Sequence, residues 1–426
     1  MNVRFMELIQ GTRDDSNLST KDNDDIISSM PNIVITDILN RLPIQDAVRT
    51  SILARNWRLK WTLLTQLVFD YAFIRYLVKR HHKRNNVGDD NWYDEKNISG
   101  LFPHLMGPIT KFVLSIPYSK VLDVKNFYDW ALILSRKGTM EFTLENSNDE
   151  MVELPTHIFS CLNLTHLKLC NCHFPSAPSS FCGFHNLLSL DVSHVTFASG
   201  FGESITNSPL LEILKIHDEE QPIEKLNLDE IFKLKNLKIL SLSLYAIDSM
   251  EIPNSLSVHG GPYFPNLEEL FLSLGDNEGG VEEIVSGKLL CDSFSCVKSL
   301  TLTLVDFDSS VVLRFMYEII WGLPNLQTLT IEGLYSDYED QSLELCTSTG
   351  QLQLLNVVFE NFEGSENELF FIKNLLSCTP LLKTFTIRPD LNLLFPGAYK
   401  EKFKLAKKLL RFHRASAIAD VDLDWS

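Results

Sequence analysis

One motif recurs along the chain and limits what it can fold into: an apolar residue, two of any kind, a second apolar residue, one of any kind, and a third. It appears as Ile109-Phe112-Leu114, Leu164-Leu167-Leu169, Leu187-Leu190-Val192, Leu211-Leu214-Ile216 and Leu237-Leu240-Leu242. It continues as Leu267-Leu270-Leu272, Val297-Leu300-Leu302, Leu326-Leu329-Ile331, Leu352-Leu355-Val357 and Leu382-Phe385-Ile387, with a degenerate copy at Phe142-Leu144. Successive starts lie roughly 23 to 30 residues apart. One such segment can bury its apolar side chains only against a neighbouring copy, so the copies are expected to stack as short parallel strands joined by return segments. Residues 311–321 and 369–376 read as helical returns, each followed by a turn at Pro324 or Pro380. An extra Ile223-Leu226-Leu228 lies too close to its neighbours to be a full unit.

That spacing is the period of leucine-rich repeats. The expected fold class is therefore α/β: an irregular solenoid with a parallel sheet on its concave face and helices and loops on its convex face. A different pattern stands in front of it. From Asn32, apolar residues at Ile35, Ile38, Leu39 and Leu42 form a helical stripe that Pro31 opens and Pro43 stops. Ile44, Ala47, Val48 and Ile52 form a second stripe, followed by Trp57, Trp61 and Leu64. Three short helices of about forty residues bury too little surface to be stable alone, so their apolar faces are expected to meet a partner.

The residues of this head resemble the F-box: Asp25-Ile26-Ile27-Ser28, Met30-Pro31, Ile38-Leu39, Leu42-Pro43, the run 46–53 and Trp57-Arg58-Leu59-Lys60-Trp61. The resemblance implies docking on a Skp-type adaptor and, through it, on a cullin scaffold. Carried over to this chain, the adaptor contact would use Met30, Pro31, Ile35, Ile38, Leu39, Leu42, Pro43, Ala47, Val48, Leu53 and Trp57. Met30 stands where Leu is common, and Ala54-Arg55-Asn56 replaces a small-basic-basic triplet. The phrases beginning at Pro209, Pro265 and Pro324 are similar to the repeats of plant F-box/FBD/leucine-rich-repeat proteins. The stretch from Leu409 to Ser416, following Cys378-Thr379-Pro380, resembles their C-terminal FBD segment. The implied function is a substrate receptor of an SCF-type ubiquitin ligase. The alternative is a repeat scaffold with no link to a ligase.

The expected organisation is a disordered polar tail over 1–24, the head over 25–64, a connector over 65–108, the solenoid over 109–367, and a C-terminal segment over 368–426 with the last repeat and a capping helix. The basic run 79–84 reads as part of the solvated connector. Within each strand, residues between the inward leucines point to the open face. Candidates for holding a client protein are His166, Lys168, Ser189, Asp191, Lys215, His217, Glu269, Phe271, Thr301, Thr303, Thr328, Thr330, Thr384 and Arg388. Phe271 stands out because exposed aromatics dominate interface energies.

Composition removes several classes. A net charge of -17 works against nucleic-acid binding, since phosphate is held mainly by Lys and Arg. No apolar stretch is long enough to span a bilayer and no signal peptide is evident, so the eight dispersed cysteines are expected as reduced thiols in cytoplasm or nucleus. Cys170-Asn171-Cys172 with His166 and His173 lacks the second ligand pair that structural zinc needs. No phosphate-cradling glycine loop, nucleophile elbow or metalloprotease His pair occurs, so neither cofactor nor catalysis is expected.

Overall fold

The structure is a computed structural model that describes residues 29–84, 98–118, 124–198, 205, 207–217, 226–227, 231–243, 247–249, 264–274, 291, 294–334, 350–389 and 399–424. The expected tail over 1–24 lies outside them, as do the polar stretch 85–97 and Cys346. The chain divides into two compact units, Met1–Ser208 and Pro209–Ser426.

The first unit begins with helices α1 (Asn32–Asn40) and α2 (Ile44–Arg49). Three 3-10 turns follow, at Thr50–Ile52, Arg55–Trp57 and Lys60–Leu63, where a third α-helix was expected. Pro31 and Pro43 occupy the N-cap positions of α1 and α2. Strand β1 (Gln66–Phe69) and helix α3 (Tyr71–Arg84) come next, then β2 (Lys111–Ile116), α4 (Val124–Lys137), β3 (Glu141–Asn146), β4 (Val152–Glu153), β5 (His166–Phe174) and β6 (Ser189–Phe197). The strands pair in parallel in the order β1-β2-β3-β5-β6, with β4 on β5.

The sheet therefore starts inside the segment expected to be a connector. Leu64, Leu67 and Phe69 are a repeat triplet of their own, all buried, and β1 registers on β2 from Gln66↔Lys111 to Phe69↔Leu114. Aromatic rings fill the stack behind these strands. Phe69 and Phe112 lie 6.1 Å apart edge to face, and Phe112 and Phe142 stack at 5.6 Å. The basic run 79–84 continues α3.

The second unit contains β7 (Ile213–His217), β8 (Leu226–Asn227), β9 (Ile239–Ser243), β10 (Ile247–Ser249), β11 (Glu269–Ser273), β12 (Ser299–Val305) and α5 (Ser310–Gly322). It continues with β13 (Thr328–Gly333), β14 (Asn356–Phe362), α6 (Glu366–Cys378), β15 (Thr384–Pro389), α7 (Tyr399–Leu409) and β16 (Asp420–Leu423). Its parallel sheet runs β7-β9-β11-β12-β13-β14-β15-β16. The extra apolar run near Leu226 yields only β8, which pairs with β10 in a separate two-stranded sheet.

Register corrects one repeat. Val357 pairs with Leu329 and Phe359 with Ile331, so the inward triplet is Leu354-Val357-Phe359 and not Leu352-Leu355-Val357. Leu355 has the same parity as Val357 but precedes the strand and is only half-buried, whereas Leu354 and Phe359 are fully buried. The boundary expected at 367/368 falls inside α6, between the residues of one cap. Ser365 Oγ accepts from Glu368 N at 3.2 Å, and Glu368 Oε2 accepts from Ser365 N at 2.8 Å, a reciprocal capping box. Nor does a helix close the array. Strand β16 follows α7 and pairs with β15 from Thr384↔Asp420 to Ile387↔Leu423.

Three devices repeat between strands. Three residues before the first leucine sits another inward residue, as at Cys161, Phe184, Phe264, Phe294 and Leu323, all buried. In the second unit Leu234 also takes this position, and the ring of Phe232 two residues earlier is centred 5.3 Å from Phe264, which stacks on Phe294 at 5.6 Å. The asparagine just before the leucine donates Nδ2 to a carbonyl one repeat back: Asn186 to Leu162 at 3.0 Å, Asn266 to Lys235 at 3.3 Å and Asn325 to Ser295 at 2.8 Å. These bonds tie each turn to the repeat before it. Two residues after the last inward side chain, Asn171, His194, Leu304 and Asn361 adopt φ of 52 to 55°. This left-handed residue shifts the alternation by one, which lets Cys172, Val305 and Phe362 turn inward.

Candidate docking surfaces

The head splits its apolar residues between two faces. Ile35 and Leu39 of α1, Ala47 and Val48 of α2, and Trp57 and Trp61 are buried against their own unit. Ile33 (79% exposed), Leu53 (71% exposed), Val34, Ile38, Leu42, Ile52 and Leu59 remain open to solvent. Of the residues expected to meet an adaptor, Pro31, Ile38, Leu42, Pro43 and Leu53 are exposed and Met30 is half-exposed. Ile35, Leu39, Ala47, Val48 and Trp57 are corrected to core positions, because a side chain already out of water has no area left to offer. Ile33, Val34, Ile52 and Leu59 are further apolar residues of the head that lie exposed. A signal for them existed: Asn32–Asn40 holds apolar residues at 33, 34, 35, 38 and 39, too many for a helix with one wet face.

Polar contacts fix the head to the first strand. Asn40 Nδ2 donates to Thr65 Oγ1 at 2.8 Å, and Asn40 Oδ1 accepts from Thr65 N at 3.2 Å. Lys60 Nζ reaches Asn32 Oδ1 at 2.9 Å, and the Arg49 guanidinium lies 5.2 Å from the Tyr76 ring centre on α3.

On the open side of the first unit's sheet, the register sets Lys168 beside Asp191 and His166 beside Ser189. Lys168 also pairs with Glu145 at 2.8 Å, and that bond raises its pKa. Glu145 is thus part of this charged cluster, although the sequence did not single it out. His166 is exposed and hydrogen-bonds Thr165 Oγ1 at 3.0 Å.

The second unit's open side is different in chemistry. Lys215 and His217 are half-exposed on β7. Phe271 lies between Ser241 and Thr301, and Glu269 is followed by Ser299 and Thr328 along the same line. Thr303 and Thr330 extend this hydroxyl-rich area, in which Phe271 is half-covered and not fully exposed. Further along, exposed Arg388 bridges Glu360 and Asp424, the latter at 3.3 Å; its hydrogen bond to Glu360 is the main reason its pKa is raised. Thr384 Oγ1 donates to Asn356 at 2.9 Å.

Burial pushes the Cys161 and Cys172 thiols up to about 12, and the seven described cysteines are all free. His173 is hydrogen-bonded to Thr196. Among the described residues no group of three or more His, Cys, Asp or Glu side chains could hold a metal ion, and no helix is long and apolar enough to cross a membrane. A groove of about 650 Å³ along the strand starts is lined by Lys238, Asn266, Glu268, Cys296, Lys298 and Gln327. Its lysines are engaged by Glu212 and Glu268, each pair at 2.8 Å, so little charge is left for a ligand.

The profile of the F-box domain matches residues 27–65, which are the segment with the open apolar face. A second profile, described as the LRR repeats of FBD-associated F-box protein At5g56370, matches residues 127–229. The F-box/FBD/LRR-repeat protein At1g13570 of Arabidopsis thaliana is 30% identical over 93% of this chain and 98% of its own length. The chain belongs to the plant F-box/FBD/LRR-repeat family. Two more Arabidopsis thaliana proteins are similar to this chain. Putative F-box/LRR-repeat protein At3g42770 is 25% identical over 92% of this chain and 78% of its own length. F-box/FBD/LRR-repeat protein At2g04230 is 25% identical over 66% and 69%. Membership in this family goes with a non-catalytic role.

Proposed function

We propose that this chain is the substrate-recognition subunit of an SCF-type ubiquitin ligase in cytoplasm or nucleus. Its head docks on a Skp-type adaptor, which joins it to a cullin scaffold, and the open sheet face holds a client protein. The observation that carries this reading is the set of seven large apolar side chains left open between Ile33 and Leu59. Fully burying such a side chain contributes about 1.5–3 kcal/mol, so a few of them suffice for a stable complex once the entropic cost of association is met. The chain contributes no reactive group. Its role is to raise the local concentration of client lysines near an activated ubiquitin held elsewhere.

The test is titration of purified full-length protein with purified Skp-type adaptor. Leu42→Asp combined with Pro43→Ala should abolish binding while leaving circular dichroism unchanged, since both side chains are exposed. If the unaltered chain does not bind adaptor under conditions where other F-box proteins do, the receptor reading is lost and a scaffold uncoupled from the ligase takes its place.

A further inference from the structure

The three long helices of the second unit do not dispose of their outer faces alike. Helix α5 exposes Ser310, Arg314 and Gly322, and α6 exposes Glu366, Lys373 and Ser377. Neither shows solvent a large apolar side chain. Helix α7 does the reverse: Phe403 is 70% exposed and Leu410, just past its end, is 61% exposed. Phe403, Lys407 and Leu410 stand at i, i+4 and i+7, so they form one stripe about 10 Å long. Exposed Lys404 and Arg411 flank it on one side.

The inner side of α7 is already occupied. Leu409 is buried, and Leu405 packs so close to Gly364 that a Cβ there would lie 3.0 Å from Leu405 Cδ1. Lys408 pairs with Glu366 at 2.6 Å, and Ala415 N donates to Leu376 O at 2.9 Å just beyond the helix. The stripe is therefore held outward on a fixed helix. Capping the array does not account for it, because β16 takes the end of the sheet.

We infer that the outer face of α7 is a third docking surface, separate from the head and the open sheet, and that it receives an acidic protein segment carrying two apolar anchors. Lys404, Lys407 and Arg411 have no ion-pair partner among the described residues, in contrast to Lys408 on the same helix. On a chain of net charge -17, three cations around two open apolar side chains complement an acidic segment with hydrophobic residues spaced to match. An anionic bilayer fits less well: although residues 400–414 carry seven Lys and Arg in all, a membrane surface would also meet the rest of an acidic molecule.

The probe is a phage-displayed library of random 16-residue peptides, selected against the full-length chain and counter-selected against a Phe403→Ser, Lys407→Glu chain. The expected result is a family of peptides rich in Asp and Glu with two apolar residues. Synthetic copies should bind the unaltered chain at least ~10-fold more tightly than the variant and weaken as salt rises. Both altered side chains are exposed, and matching urea midpoints would establish that the variant is folded. Enriched peptides that are neutral or basic, that bind both chains equally, or that fail to appear at all would overturn the inference. So would binding of the full-length chain to phosphatidylserine vesicles, lost in the variant, without any such peptides.

Discussion

The head and the repeat array are built from similar proportions of apolar residues and use them in opposite ways. In the array, each repeat turns its apolar triplet inward, most add a buried residue three before it, and the stack closes over them. In the head, one apolar face holds the segment to its own unit, and a second, from Ile33 to Leu59, is left open. Burial and exposure are thus divided between faces, so a substitution at an inward position of the array should cost folding, and one on the head's open face should cost only binding.

The strongest way to break this comparison is to empty the array's core. Phe359→Ala removes a fully buried ring that touches Phe307 and Phe362, and should destabilise the second unit by about 3–5 kcal/mol in urea denaturation. A loss below ~1 kcal/mol would mean that the stack is loosely packed and that the contrast with the head is false.

Next in size is a pH effect at Glu368. Burial raises its carboxyl to about 7, against the opposing pull of backbone N–H donors at Glu363, Gly364 and Ser365. A folded pKa above the unfolded value of about 4.5 means that the folded state holds its proton more tightly. The associated stability is present below about pH 4.5 and is lost as pH rises through 7. The full span corresponds to on the order of 3 kcal/mol. Glu368→Gln should lower stability at every pH, because one acceptor becomes a donor, but it should flatten the decline between pH 5 and 8. Parallel curves for the two proteins would place the titration elsewhere.

Gly364→Ala should come third, at about 1–2 kcal/mol by thermal melting. Its φ of +89° disfavours any side chain, and the added methyl would meet Leu405. The smallest effect should be Leu53→Asp on the head, which is expected to shift the urea midpoint by less than about 0.5 kcal/mol while reducing adaptor affinity at least ~10-fold. A large loss of stability there would erase the distinction between the two regions.

Much of the array was legible because strand alternation leaves little freedom: a buried leucine fixes the side of its neighbours two away. The failures have specific causes. Leu64 fits both the helical stripe from Trp57 and the triplet Leu64-Leu67-Phe69, and the long interval to Ile109 hides the second reading. Leu352, Leu354, Leu355, Val357 and Phe359 offer two overlapping triplets, which only hydrogen-bond register separates. Strand β16 escapes notice because its alternating aspartates leave only Val421 and Leu423 to mark it, and both are half-buried. In the head, periodicity announced amphipathic helices but could not say which of two greasy sides of α1 faces home. That choice depends on where β1 lies, which is a tertiary fact.

The reciprocal bond between Asn40 and Thr65 has a mechanical corollary. Thr65 also accepts, through its carbonyl, the amide of Thr110 at 2.8 Å, so the last residue of α1 is wired directly into the hydrogen-bond ladder of the sheet. No slack segment separates them. Whatever grips the head sets the bearing of strands β1 to β6, and cargo resting on those strands would be aimed by a stiff mount instead of swinging on a tether.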